Sequence, residues 1–569
     1  MEKNSLMKRD LRNYLLAVTV LLLINLLGGL LFTRIDLTAE KRFTLAPVTR
    51  TTLRNLDDVV LVRVYLDGEL PPEFVRFRTA IRELLDEFRA YAGDRLQYEF
   101  INLYEEKDTE LRNKIIGELY DKGLQVTNIQ ARDEDGSSSS RIIFPGAMIS
   151  CRGAEMPVNL LKNNPALAPE QNLNNSMETL EFEFIRSIKS LTLKEIPRIA
   201  FIEGHGELDS TSTHSIMDEL KNFFQVDRGH INGNLNALLA YKALVFAQPI
   251  HPFSERDKFA IDQYIMRGGR VLFFLDPVLV QPDSLAGGMT LGLVNQLNIE
   301  DLLFKYGVRF DYSLVTDLQC NYVPVNMAVA GEQPRFVMKP WIYFPLLAGD
   351  GINPVTRGLN YVKTAFVSPV DTVPDNPAGV KKTVLLTTSG ASLRLSAPLR
   401  IDVDEVNHQP DPAMFSQGPV PVAVMLEGSF ESFYKNYGVP AGVTPASAEI
   451  IPKSSPARVF VCGDGDIIRN EISTVRGRPV AEPLGYDKYT RQTFGNREFI
   501  MNVINYMTDD SGLMSLRARE FRLRLLDREK ITDSRVVLKW KLINSILPVL
   551  LVVVAGLIFN YFRKKRYAV

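Results

Sequence analysis

The stretch RIAFIEGHGE, residues 198–207, sets an unbroken apolar run against a glycine-rich, charged turn. A strand with one wet face alternates apolar and polar residues. A run without alternation marks a strand covered on both faces, as in a parallel sheet with helices on either side. The same signature returns at Ala243 to Ala247 (ALVFA), Arg270 to Leu275 (RVLFFL) and Arg458 to Cys462 (RVFVC). Between these runs Ile216, Leu220, Phe223 and Phe224 fall at helical spacing, and Phe259 to Met266 forms a second apolar stripe that stops at Gly268-Gly269. Asn496 to Met507 (NREFIMNVINYM) supplies a further amphipathic helix. The alternation predicts right-handed βαβ crossovers and an open, doubly wound α/β sheet. Its first part spans residues 176–319, and its last strand and helix residues 455–510. The intervening residues 320–454 hold 16 of the chain's 32 prolines, which disfavours long helices and predicts a β-rich insertion.

Upstream, Val59 to Leu66 (VVLVRVYL) and Leu96 to Leu103 (LQYEFINL) read as strands. Arg76 to Tyr91 and Thr109 to Tyr120 read as helices. Strand, helix, strand, helix is the opening half of a thioredoxin-like α/β domain over residues 33–162. The segment after the first strand, Asp67 to Pro72 (DGELPP), carries no redox cysteines, which excludes thiol-disulfide chemistry there. The run DEDGSSSS, residues 133–140, reads as an exposed hairpin tip, and the Asn/Pro-rich residues 163–175 as a linker.

At the chain's ends, Asn13 to Thr33 and Leu542 to Phe562 contain no charged residue. Each meets the length of about 20 residues that a helix needs to cross a bilayer. Residues 14–32 and 542–562 are therefore read as transmembrane helices, with short tails at 1–13 and 563–569 and a basic juxtamembrane segment at 511–541. Lys3, Lys8, Arg9 and Arg12 before the first span, and Arg563 to Arg566 after the second, place both tails in the cytoplasm and the body outside it.

The chemistry-bearing motifs are mostly exclusions. There is no GxxxxGK[ST] loop, no GxGxxG and no HExxH, so the chain is not itself a P-loop ATPase, a dinucleotide enzyme or a zincin. A net charge of -1 excludes a globally basic nucleic-acid binder. Three widely spaced cysteines form neither a disulfide framework nor a metal motif, and no cofactor is implied. One polar constellation remains, at the carboxyl ends of the expected parallel strands, where open α/β sheets bind ligands. Glu203, His205, Glu207, Asp209 and His214 follow the first strand, His251 the second, Asp276 the third, and Asp464 and Asp466 the last. Such an edge suits a divalent cation or acid/base work. The bland alternative makes His205 a cap for backbone groups and the carboxylates helix caps or solvated loop residues. Both readings stay open at this level.

Several of these pieces, taken in order, resemble a known family. RIDLTAEKRFTL (34–45) after the first span, GHGE (204–207), FFLDP (273–277), Gly463-Asp464 followed by Gly495-Asn496-Arg497, and LRLLDREKI (523–531) before the last span are similar to the GldG-type auxiliary component of gliding-motility ABC transporters of Bacteroidetes. The resemblance implies an amidotransferase-like middle sheet without a known catalytic site. It also implies an extracytoplasmic accessory subunit of the bacterial inner membrane, with a large periplasmic domain, working beside an ABC-2-type permease and a separate P-loop ATPase. Membrane lipids are the other expected partner. A membrane-tethered hydrolase or metal-dependent enzyme built around His205, and an envelope scaffold, are the alternatives.

Overall fold

The computed structural model describes residues 12–23, 44–106, 108–132, 138–162, 164, 167–328, 333, 335–374, 379–443, 449–475, 477–518 and 534–567. The described residues fall into two compact units, a body that takes in residues 12–23 and 44–518 and a C-terminal unit that takes in residues 534–567.

The described residues open with a short apolar helix, α1 (Arg12–Leu23); the rest of the expected first span lies outside them. The first domain follows, with α2 (Pro47–Arg54), β1 (Val60–Val64), α3 (Pro72–Ala92), β2 (Leu96–Phe100) and α4 (Thr109–Asp121). After a hairpin of β3 (Thr127–Arg132) and β4 (Ser138–Ile143) come β5 (Gly146–Cys151), β6 (Ala154–Asn159) and the long α5 (Pro169–Thr192). The sheet order is β2-β1-β5-β6. β1 and β2 are parallel, whereas β5 is antiparallel to both β1 and β6. Of the expected hairpin tip, residues 133–137 lie outside the described residues.

Helix α5 corrects the expected linker at 163–175 and the boundary at 176. Pro169 is its first residue, a position where a missing N–H costs nothing, and Glu170 favours the same helix end electrostatically. The asparagines that looked like loop residues lock its start: Asn172 accepts from the Asn164 amide at 3.0 Å and donates to the Asn164 carbonyl at 2.8 Å. Leu173, Leu180, Phe184, Ile185 and Ile188 bury α5 in the core of the first domain.

The large sheet is built from β7 (Arg198–Glu203), β8 (Gln225–His230), β9 (Ala243–Ala247), β10 (Arg270–Phe274), β11 (Lys381–Thr387), β12 (Pro421–Gly428) and β13 (Ala457–Cys462). Its seven strands lie in the order β11-β12-β13-β10-β9-β7-β8. β13, β10, β9, β7 and β8 run parallel. β12 is antiparallel to β13, and β11 to β12. Residues 320–454 are thus more than an insertion, because two of their strands extend the sheet. The other strands there form small sheets, among them the hairpin Cys320–Asn326 with Phe336–Leu347.

Both faces of the sheet are covered. The helices are α6 (His214–Lys221), α7 (Leu235–Leu238), α8 (Glu255–Met266), α9 (Glu300–Tyr306) and α10 (Asn496–Thr508). Ile199 and Phe201 of β7 pack with α6 and α10, while Ala200 and Ile202 pack with α7, α8 and α9. Successive side chains of a strand point to opposite faces, so two-sided cover is what makes its sequence read as one apolar run. Ser254 caps α8, accepting from the Asp257 amide at 3.2 Å, and Gly268, with φ of 85°, ends it by donating to the Ile265 carbonyl at 2.9 Å.

In the C-terminal unit, α11 (Ser534–Tyr567) contains a stretch, Arg535–Lys565, long and apolar enough to cross a membrane. The expected basic segment at 511–541 divides into three parts. Residues 513–518 form a buried 3-10 turn of the body, 519–533 lie outside the described residues, and 534–541 open α11.

Candidate functional site

At the carboxyl end of β7 the chain reverses through Gly204 (φ 122°) and Gly206 (φ 75°), a conformation open to glycine and strained for other residues. The turn buries His205, 5% exposed, and stacks its ring on Phe253 with centroids 4.1 Å apart. Nδ1 lies 2.9 Å from Glu207 Oε1, and Nε2 3.4 Å from Asp257 Oδ2 on the first turn of α8. The His205 amide donates to the other Glu207 oxygen at 2.7 Å, and its carbonyl accepts from the amides of Ile250 and His251. Burial alone would lower the imidazole pKa, but the hydrogen bonds to Asp257 and Glu207 outweigh it and push it up to about 9. Burial likewise opposes ionisation of Asp257, and the bonds from His205 and Ser254 hold its pKa below the usual range all the same. His205 is therefore an imidazolium with both ring nitrogens engaged by carboxylates, rather than a cap for backbone groups. Neither nitrogen is free to accept a proton or bind a metal in this arrangement.

A second group forms where β10 and β13 end. Asp276 accepts from the Gly465 amide and from Gln248 Nε2, each at 2.6 Å. Asp464, wholly buried, accepts from the amides of Asp466 (2.7 Å) and Ala365 (3.2 Å). Asp466 accepts from Gln248 Nε2 at 3.2 Å and pairs with Arg469 at 3.1 Å; Arg469 also donates to the side-chain oxygen Oε1 of Gln248. Three carboxylates thus gather at the strand ends, and Arg469 is the guanidinium that offsets Asp466 and Asp276. Burial, with repulsion from Asp466, raises Asp276 to about 7, and burial with repulsion from Asp466 and Asp276 raises Asp464 well above the carboxylate range. The group can hold a proton at neutral pH. It floors a cavity of about 90 Å³ whose walls include Val278, Leu279 and Phe366. Among the described residues, no set of three or more His, Cys, Asp or Glu side chains is placed to hold a metal ion.

The expected constellation therefore resolves into two groups, with several members in neither. Glu203 pairs with Arg228 at 2.6 Å. Asp209 accepts from the Ser212 amide at 2.8 Å, which together with the bond from the Ser212 side chain keeps its pKa low. His214 opens α6 at the surface. His251 lies against the turn at Gly206. Asp257, Gln248 and Arg469 were not in the sequence-based set. For Asp257 a signal existed, since Ser254 three residues earlier is a helix start with an acidic residue in its first turn.

Sequence reasoning also missed a junction on α5. Glu181 accepts from the Ala46 amide at 2.8 Å and the Thr49 hydroxyl at 2.6 Å, holding the first turn of α2. Glu183, buried, lies 2.7 Å from Lys162, 3.3 Å from Arg186 and 3.9 Å from Arg517. Burial would raise its pKa, but those three cations draw it down to about 2. Arg517 is itself buried, donating to the carbonyls of Pro354 (3.0 Å) and Arg357 (3.1 Å) and pairing with Glu498 at 3.3 Å. Arg357 reaches Glu178 and the Ala518 carbonyl, each at 3.0 Å. Both ends of the body, Leu45-Ala46 and Leu513 to Arg517, are thus seated on one helix.

Residues 196–503 match the family described as an ABC-type uncharacterized transport system, more than half of the chain. Residues 39–150 match a domain of unknown function. No curated protein matches the sequence. A solved structure, the mmIFT52 N-terminal domain, is similar with a TM-score of 0.31 and 14% identity over 55% of this chain and 98% of that one, too distant a likeness to bear on fold or function.

Proposed function

Because the chain belongs to the family of auxiliary components of ABC-type transport systems, we propose that it is a non-enzymatic, doubly anchored subunit of a gliding-motility type transporter, with its body in the periplasm of a bacterium. Its partners in this reading are an ABC-2-type permease and a separate P-loop ATPase in the inner membrane. The order and directions of β2-β1-β5-β6, closed by α5, suit a thioredoxin-like first domain, and the two-sided parallel sheet suits an amidotransferase-like second one. The observation that carries the reading is the junction on α5. A protein held by membrane segments at both ends must pass load from each into its body, and here both ends of the body meet a single buried helix. The carboxyl-edge groups are read as structural, since their polar atoms are already engaged within the protein.

Affinity purification of the full chain from its native membrane tests this reading. A permease and an ATPase should accompany it, and replacing residues 14–32 and 542–562 by unrelated spans should weaken that association, because helix packing in lipid depends on side-chain shape. Recovery of the protein without either subunit would sink the proposal. A reporter active only in the periplasm, inserted within residues 133–140, checks the side of the membrane.

A further inference from the structure

We propose that α5 is a two-sided clasp that holds the segments at both ends of the body as one cooperative unit, so that neither is released without loosening the other. The inference rests on the auxiliary-subunit reading for the source of the load, which is motion in the membrane passed to residues before 44 and after 518.

The geometry is that of one helix gripped from two sides. Glu181 holds Ala46 and Thr49, while Glu183 holds Lys162, Arg186 and Arg517. Residues two apart on a helix do not share a face, so the two ends of the body approach α5 from different directions. The two segments and α5 also share one apolar core, which holds Leu45 and Leu53 from the first segment, Leu513 and Leu516 from the last, and Leu180 and Phe184 of α5. Close-packed interiors have little slack, and displacing one wall moves the next.

The ionic part resists withdrawal of Arg517 for a different reason. Arg517 faces Glu183, Glu498 and two backbone carbonyls, with its guanidinium 5.4 Å from the centroid of Phe182 on α5. If a pull at Ala518 withdraws it, Glu183 loses one of its three cations in a buried site, and an incompletely compensated buried charge is costly. Arg357 ties the Ala518 carbonyl back to Glu178, so the last residue of the body is fixed to α5 by a second route. A shift at the end of the chain thereby becomes a rearrangement of α5, and with it of the Glu181 grip on α2.

Amide hydrogen exchange of the full chain in lipid nanodiscs tests the clasp. Arg517→Met should speed exchange in residues 47–54 of α2 at least tenfold. Glu181→Ala, which removes the acceptor of both bonds, should do the same to residues 513–518, since a coupling free energy is reciprocal. The amides of β9 and β10 should keep their protection in both variants. Acceleration confined to the mutated side, or in one direction only, would overturn the proposal. If Arg517→Met does not accumulate, Arg357→Ala severs the links to Glu178 and Ala518 while leaving Arg517 in place, and should likewise accelerate α2. The exchange pattern reports on the clasp alone; loss of permease and ATPase from the purified complex with the exchange pattern intact would refute the transporter reading instead.

Discussion

Glu183→Gln is the most informative single change, because its magnitude follows from the surroundings of one carboxylate. Glu183 is 4% exposed and ionised against Lys162, Arg186 and Arg517, which hold its pKa near 2 rather than 4.5. A depressed folded-state pKa contributes stability that is fully present above the unfolded value of 4.5 and is lost as pH falls through about 2. The difference corresponds to about 3 kcal/mol at neutral pH. Glutamine keeps the shape and removes the charge, leaving Lys162 and Arg517 to share Glu498, and Arg186 without its carboxylate partner Glu183. The expected loss is therefore about 3 to 5 kcal/mol at pH 7. Pulse proteolysis in urea, scored on cleavage within residues 44–192, measures it for wild type and variant side by side. Carboxylates that do not touch these cations titrate alike in both proteins and cancel from the difference. The gap should shrink as pH falls below 4.5 and nearly close by pH 2, and a gap of constant size from pH 7 to pH 2 would refute the electrostatic account of the junction.

Two further outcomes concern the carboxyl edge. The raised His205 pKa of about 9 means that its contribution is complete below 6.5 and is lost as pH rises through 9, so His205→Ala should cost about 3 kcal/mol more at pH 6 than at pH 10 in a melt, with function falling only in proportion; an inactive variant with an unshifted melt would point to a chemical role instead. Asp276, raised to about 7, is held in its protonated form, and wild-type stability should decline between pH 4 and pH 7 as that proton is lost. Asp276→Asn should flatten the decline in urea titrations, and an equally steep slope in the variant would show that the proton sits elsewhere.

How much of this was legible in the sequence follows from what a sequence pattern reports. Burial on both faces is a property of each strand by itself, so β7, β9, β10 and β13 could be read from their apolar runs, and their parallel pairing from the helices between them. β12 carries the same apolar run (VAVML) but lies among prolines at 419 and 421, and composition averaged over the segment hid it. Pro169 misled in the same way, because a proline that opens a helix looks in one dimension like a proline in a linker. Site residues divide along the same line. His205 and Asp276 announced themselves by standing at strand ends, whereas their partners Asp257 and Gln248 arrive from other connections and carry no sign of the pairing. Arg517 is the extreme case: read along the chain it is one of many basic residues before a membrane helix, suited to solvent or lipid headgroups. In the fold it is buried among Glu183, Glu498 and the carbonyls of Pro354 and Arg357, brought together from α5, α10 and the loop at Pro354 to Arg357. The charge that looked addressed to the membrane is spent inside the body, where it holds the last turn of the body against α5.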